Sequence, residues 1–145
     1  MGSGISRRGD IARNMGYRWT PEGLETLYFR SKVLLEVRAA GVPNPLSGMW
    51  GDIADLEGLR RECQEGVEMG FSGKISIHPG QIEVINSVFT PAKADAEDAV
   101  ALIAAFEEHA RRGAGAFAWK GQMMDMPHLT RARKIVERAR HAGVI

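Results

Sequence analysis

Two short runs, PLSGMW over 45–50 and KISI over 74–77, are each followed by a stretch with helical spacing of its apolar residues. That alternation is the tightest constraint on what the chain can become. Strands separated by helices pair in parallel, because each crossover returns the chain to the same end of the sheet. The expected class is therefore α/β. A closed eightfold βα barrel needs about 250 residues. This chain has 145, enough for roughly half of one.

The helical stretches can be bounded. Thr20 as N-cap and Pro21 at the first helical position open a helix, along which Leu24, Leu27, Tyr28, Leu34 and Leu35 recur until Gly41 ends it. A second helix is expected over about 55–69, with Leu56, Leu59, Cys63 and Val67 as its buried stripe and Gly70 closing it. Gln81–Val88 reads as a short helix with Ile82, Ile85 and Val88 on one face. A longer one, Asp95–Arg112, turns Ala96, Ala99, Val100, Ile103, Phe106 and Ala110 inward. Ala116–Trp119 and Gln122–Met124 flank Lys120-Gly121 as a two-residue hairpin. Pro127 starts the last helix, which carries Leu129, Ala132, Ile135, Val136 and Ala139. The 17 glycines serve the turns between these short elements.

Composition removes several classes. With 44% hydrophobic and 26% charged residues, the chain has ordinary globular balance. It holds no run near the ~18 apolar residues of a membrane span, and nothing near Met1 resembles a signal-peptide core. A net charge of +1 gives no global field toward nucleic acid or a membrane surface. Arg131, Arg133, Lys134, Arg138 and Arg140 make a basic face without interleaved aromatic residues, which reads as a solvated surface. Neither nucleic acid nor a membrane is expected as a partner. One cysteine, Cys63, excludes an internal disulfide and suits a reducing cytoplasm. Gly-rich phosphate loops and a Gly-x-Ser-x-Gly elbow are absent from the sequence.

In βα arrays, function gathers where strands end and loops begin. Four places qualify: Asp10, Asp52, the Ile75–His78 strand end, and Asp125. Each has two readings. Asp10 either ligates a cation or favours the positive end of a helix dipole. Asp52 is either a site carboxylate or a turn residue. His78 before Pro79 either meets a ligand or satisfies backbone groups at a corner. Asp125 before Met126-Pro127 is either catalytic or an N-cap.

The segment GFSGKISIHPGQIEVINSVFTP, residues 70–91, resembles the citrate lyase beta-subunit-like family of the HpcH/HpaI aldolase superfamily, which includes malyl-CoA and citramalyl-CoA lyases. Three further segments, 9–45, 51–71 and 113–139, resemble it in the same order, so the resemblance covers about residues 9–143. It implies the C-terminal half of a (β/α)8 TIM-type barrel over 9–112 and a hairpin-and-helix extension over 113–145, while the small and polar residues 1–8 read as a leader without fixed structure. It also implies a Mg2+-dependent carbon–carbon lyase that cleaves or forms a 3-hydroxyacyl thioester (malyl-CoA, citramalyl-CoA or citryl class) on coenzyme A or an acyl carrier. By that resemblance Asp10 is the metal ligand, Ile75, Ser76 and His78 line the thioester pocket, and Asp125 acts at the reacting carbon. A homo-oligomer, trimeric or higher, is implied too. The family's other metal ligand and its carboxylate-binding arginine come from the preceding half of the barrel, so this chain alone is expected to be an incomplete catalyst. The alternative is a non-catalytic half-barrel serving assembly or regulation.

Overall fold

A computed structural model describes residues 13–18, 20, 22–113 and 115–145. Contacts divide the chain into two units, Met1–Phe89 and Thr90–Ile145.

In the first unit, a 3-10 turn at Leu24–Thr26 leads into α1, Leu27–Ala39. The helix begins later than Thr20 and Pro21 suggest, because Gly23 takes a left-handed φ of 62°. Thr20 caps that turn instead, its Oγ1 accepting from the Gly23 N–H at 3.2 Å and donating to Glu25 at 2.6 Å. Pro21 lies outside the described residues. Gly41, at φ 67°, ends the helix, with the Val42 N–H reaching back to the Val37 carbonyl. The buried face of α1 also differs from expectation. Leu24, Tyr28 and Leu35 are each more than 70% exposed, whereas Arg30 is buried. Arg30 sets the orientation: its guanidinium meets Glu65 at 3.0 Å and leaves Leu34 on the core side.

Strand β1, Leu46–Ser47, pairs in parallel with β2, Gly73–Lys74, through α2, Leu56–Met69. This is one βαβ crossover. The Asp55 carboxylate caps α2 by accepting from the Gly58 N–H at 2.8 Å, and Gly70 closes it at φ 102°. Leu59 and Cys63 are fully buried as expected, but Leu56 stands partly exposed, since it sits on the first turn beyond the reach of the core. A second 3-10 turn, Pro79–Gln81, opens α3, Ile82–Phe89. Its inward face is Val84, Ile85 and Phe89, and Ile82 is half exposed. With Gln81 turned inward one residue earlier, Ile82 has to face out. Together with Phe71, these side chains and those of α2 form the core of the unit.

The second unit holds α4, Lys93–Arg111, the hairpin β3, Phe117–Trp119, and β4, Gln122–Met124, and then α5, Met126–His141. Lys120 and Gly121 both take positive φ, 47° and 80°, the signature of a type I′ turn, and the strands pair antiparallel. Phe106 and Phe117 meet edge-on at 4.8 Å, and His109 stacks on Phe117 at 4.1 Å. Ala99, Ala132 and Val136 join α4 to α5, while Val100 is partly exposed beside that seam. Among the described residues, no helix is long and apolar enough to cross a membrane.

Candidate functional site

The strand ends of the first unit carry more polar structure than their length suggests. Each strand has only two residues in the ladder, shorter than the runs 45–50 and 74–77. The Ile75 N–H still reaches the Ser47 carbonyl at 3.2 Å. Two residues later, the Ile77 N–H bonds to the Gln81 side chain at 3.0 Å, and this diverts the backbone out of the sheet.

A turn over Ser76–Gly80 results. Ser76 Oγ donates to the His78 carbonyl at 2.8 Å. His78 Nδ1 accepts from the Gly80 N–H at 3.1 Å. An accepting Nδ1 carries no proton, so the neutral ring keeps its proton on Nε2, the nitrogen on the far side from Gly80. His78 thus satisfies a backbone N–H at the corner through one ring nitrogen. Ser76, Ile77 and His78 are exposed, and Ile75 is half-buried.

The loop after β1 is closed by its own groups. Asp52 Oδ1 accepts from the Ala54 and Asp55 N–H groups, which makes Asp52 a turn residue. Trp50 Nε1 donates to the Asp55 carbonyl at 3.0 Å. Beneath the strands, the Lys74 ammonium lies 3.2 Å from Glu62 and donates to the Gly48 carbonyl at 2.7 Å, with the Lys74 side chain fully buried. Burial pushes the neighbouring Cys63 thiol up to about 11, against the pull of Lys74. Cys63 is therefore an inert thiol at neutral pH.

Asp125 belongs to the second unit, at the N-cap of α5. His128 Nδ1 lies 2.6 Å from its Oδ1. The Asp125 backbone N–H approaches the same nitrogen at 3.4 Å, so Asp125 and His128 close a capping box at the start of α5. Ile75, Ser76 and His78 are thus gathered on one turn, Asp125 is held by His128 on another unit, and Asp10 lies outside the described residues. Among the described residues, no group of three or more His, Cys, Asp or Glu is placed to hold a metal ion. They do not by themselves make a magnesium site.

Sequence reasoning missed Gln81, which is fully buried. The signal was present, since Gln81 stands at helical spacing from Val84, Ile85 and Val88 and so occupies a core position with a polar side chain.

Residues 29–144 match the family model for C–C bond lyases of the TIM-barrel fold. The chain belongs to this family. It is 39% identical over 130 residues to a (3S)-malyl-CoA thioesterase of Cereibacter sphaeroides, covering 90% of this chain and 45% of that protein. To a citrate lyase subunit beta-like protein of Deinococcus radiodurans it is 40% identical over 127 residues, covering 88% and 44%. The structure of CitE from Mycobacterium tuberculosis, in complex with magnesium, acetoacetate and coenzyme A, superposes with a TM-score of 0.75 at 29% identity, over 93% of this chain and 51% of that one. The resemblance to the citrate lyase beta-subunit-like family is thereby established, and so is the α/β lyase fold. The chain spans about half the length of the proteins it matches. No closed barrel is seen among the described residues, which hold two two-stranded sheets.

Proposed function

We propose that this chain is the C-terminal half of a TIM-type barrel with a hairpin-and-helix extension, and that it serves a Mg2+-dependent carbon–carbon lyase. The reaction cleaves or forms a 3-hydroxyacyl thioester of the malyl-CoA, citramalyl-CoA or citryl class. Support comes from the family match over 29–144 and from the likeness to CitE, whose structure contains magnesium, acetoacetate and coenzyme A. The observation that carries the reading furthest is the strand-end turn, where the exposed His78 accepts the Gly80 N–H at Nδ1 and so has its ring proton on Nε2.

Breaking the carbon–carbon bond of a 3-hydroxyacyl thioester puts negative charge on the thioester oxygen and requires a proton to move at the hydroxyl and the released carbon. In this reading the His78 Nε2–H and the backbone about Ile75 and Ser76 hold the thioester, and Asp125 exchanges the proton. Asp10 would be this chain's ligand to Mg2+, which would stabilise the developing oxygen charge when bound, and the working form is a trimer or higher homo-oligomer.

Asp125→Asn separates catalysis from capping, because Asn caps a helix about as well as Asp. In a full-length protein that includes this chain, assayed with Mg2+ and citramalyl-CoA or malyl-CoA, Asp125→Asn is expected to lower turnover at least about 100-fold with an unchanged melting temperature. Near-normal turnover refutes the assignment. A melt with acetyl-CoA and Mg2+ tests the pocket first: ligand at 100 times its Kd adds about 2.7 kcal/mol. An unmoved melt together with absent cleavage favours the non-catalytic, assembly or regulatory reading.

A further inference from the structure

Gln81 is fully buried, yet it joins two loops that the β ladder does not reach. Its Nε2 donates to the Trp50 carbonyl at 3.0 Å, beyond the end of β1. Its Oε1 accepts from the Ile77 N–H at 3.0 Å, beyond the end of β2, with Ser76 Oγ at 3.5 Å. The partners fix which end of the amide is which, since the carbonyl demands a donor and the N–H demands an acceptor. A carboxylate lacks the donor, and an aliphatic side chain lacks both.

We infer that Gln81 is a positioning residue: it sets the Ser76–His78 turn against the Trp50 loop and so aims the groups that would hold a thioester. The inference rests on the proposed thioester reading for its consequence, but its geometry stands apart from it. Trp50 extends the tie, because its indole holds the Asp55 carbonyl and Asp55 caps α2. The turn is thereby referenced to the N-terminus of a helix.

The test uses the full chain with Gln81→Met, close in shape but unable to hydrogen-bond, and Gln81→Glu, which keeps an acceptor for Ile77 and loses the donor to Trp50. Hydrogen exchange at the Ile77 amide is read by NMR, and acetyl-CoA binding by calorimetry. Gln81→Met is expected to speed Ile77 exchange about tenfold or more and to weaken acetyl-CoA by a similar factor. Gln81→Glu is expected to keep Ile77 protected while weakening acetyl-CoA. If Gln81 only filled space, Gln81→Met would behave as wild type, and unchanged Ile77 exchange in that variant overturns the inference. Should Gln81→Met fail to fold, wild-type affinity in Gln81→Glu overturns it. If the wild-type chain itself does not bind acetyl-CoA, the thioester reading fails separately, and Ile77 exchange still decides whether Gln81 holds the turn.

Discussion

Replacing Lys74 by Met tests the ion pair beneath the strand ends. The ammonium lies 3.2 Å from Glu62, in a site where the two side chains are 0% and 5% exposed. At an effective dielectric constant near 20, a pair at that distance attracts by about 5 kcal/mol. Removing one member of a buried pair typically costs about 3–5 kcal/mol, since the other charge stays in the core. At about 0.05–0.15 kcal/mol per residue, a unit of this size has a total stability on the order of 4–13 kcal/mol. Lys74→Met therefore removes roughly a quarter or more of it. Urea titration followed by circular dichroism and tryptophan emission should show the midpoint falling by roughly 2 M. The double variant Glu62→Leu/Lys74→Met removes both charges and is expected to recover most of the loss. It should remain about 1–3 kcal/mol below wild type, because the Gly48 carbonyl loses its donor. A single variant within about 1 kcal/mol of wild type, or a double variant no better than the single, would refute this account.

Other outcomes follow from named contacts. Cys63 stays protonated in the folded chain up to about 11, against 9.0 for a free thiol, so its contribution is full below 9 and is lost as the pH rises through 11. Unfolding free energy should fall across that window by up to about 2.7 kcal/mol more than in Cys63→Ala, and equal slopes would count against the shift. A Cβ at Gly58 would stand 2.5 Å from Trp50 Cζ2 and strike the Asp55 carboxylate, so Gly58→Ala should lower Tm by at least about 5 °C. Gly121→Ala, at φ 80°, should destabilise the hairpin by about 1–2 kcal/mol, measured by thermal unfolding; a neutral result would argue against the left-handed turn.

Much of the architecture was legible because local signals agree. Gly70 and Gly41 mark the helix ends, Asp125 sits as a cap, and Lys120-Gly121 turns the hairpin. Apolar spacing failed where a polar group won the interior. Arg30 displaced the leucine stripe of α1 by pairing with Glu65, and Gln81 moved the buried face of α3 away from Ile82. Strand length was overestimated for a related reason. The runs 45–50 and 74–77 read as extended, but a side chain takes the Ile77 N–H before the ladder can use it. Of the site, the strand end at 75–78 and its corner at His78-Pro79 were visible from sequence, and the turn that Gly80 and Gln81 lock there was not. Asp125 was foreseen in two alternative roles; the structure records the cap and adds His128 as its partner.

The short parallel pair has one more property. Its inward-facing couple is Ser47 opposite Lys74, both polar, while Gly73 opposite Leu46 offers no side chain to choose between alignments. Hydrophobic alternation therefore cannot tell this register from one shifted by a single residue, which would turn every side chain to the other face. The charge on Glu62 can. Only one alignment brings an ammonium to that carboxylate and to the Gly48 carbonyl at once. In this chain the sheet is keyed by electrostatics, and an error of one residue is rejected by the helix beneath it.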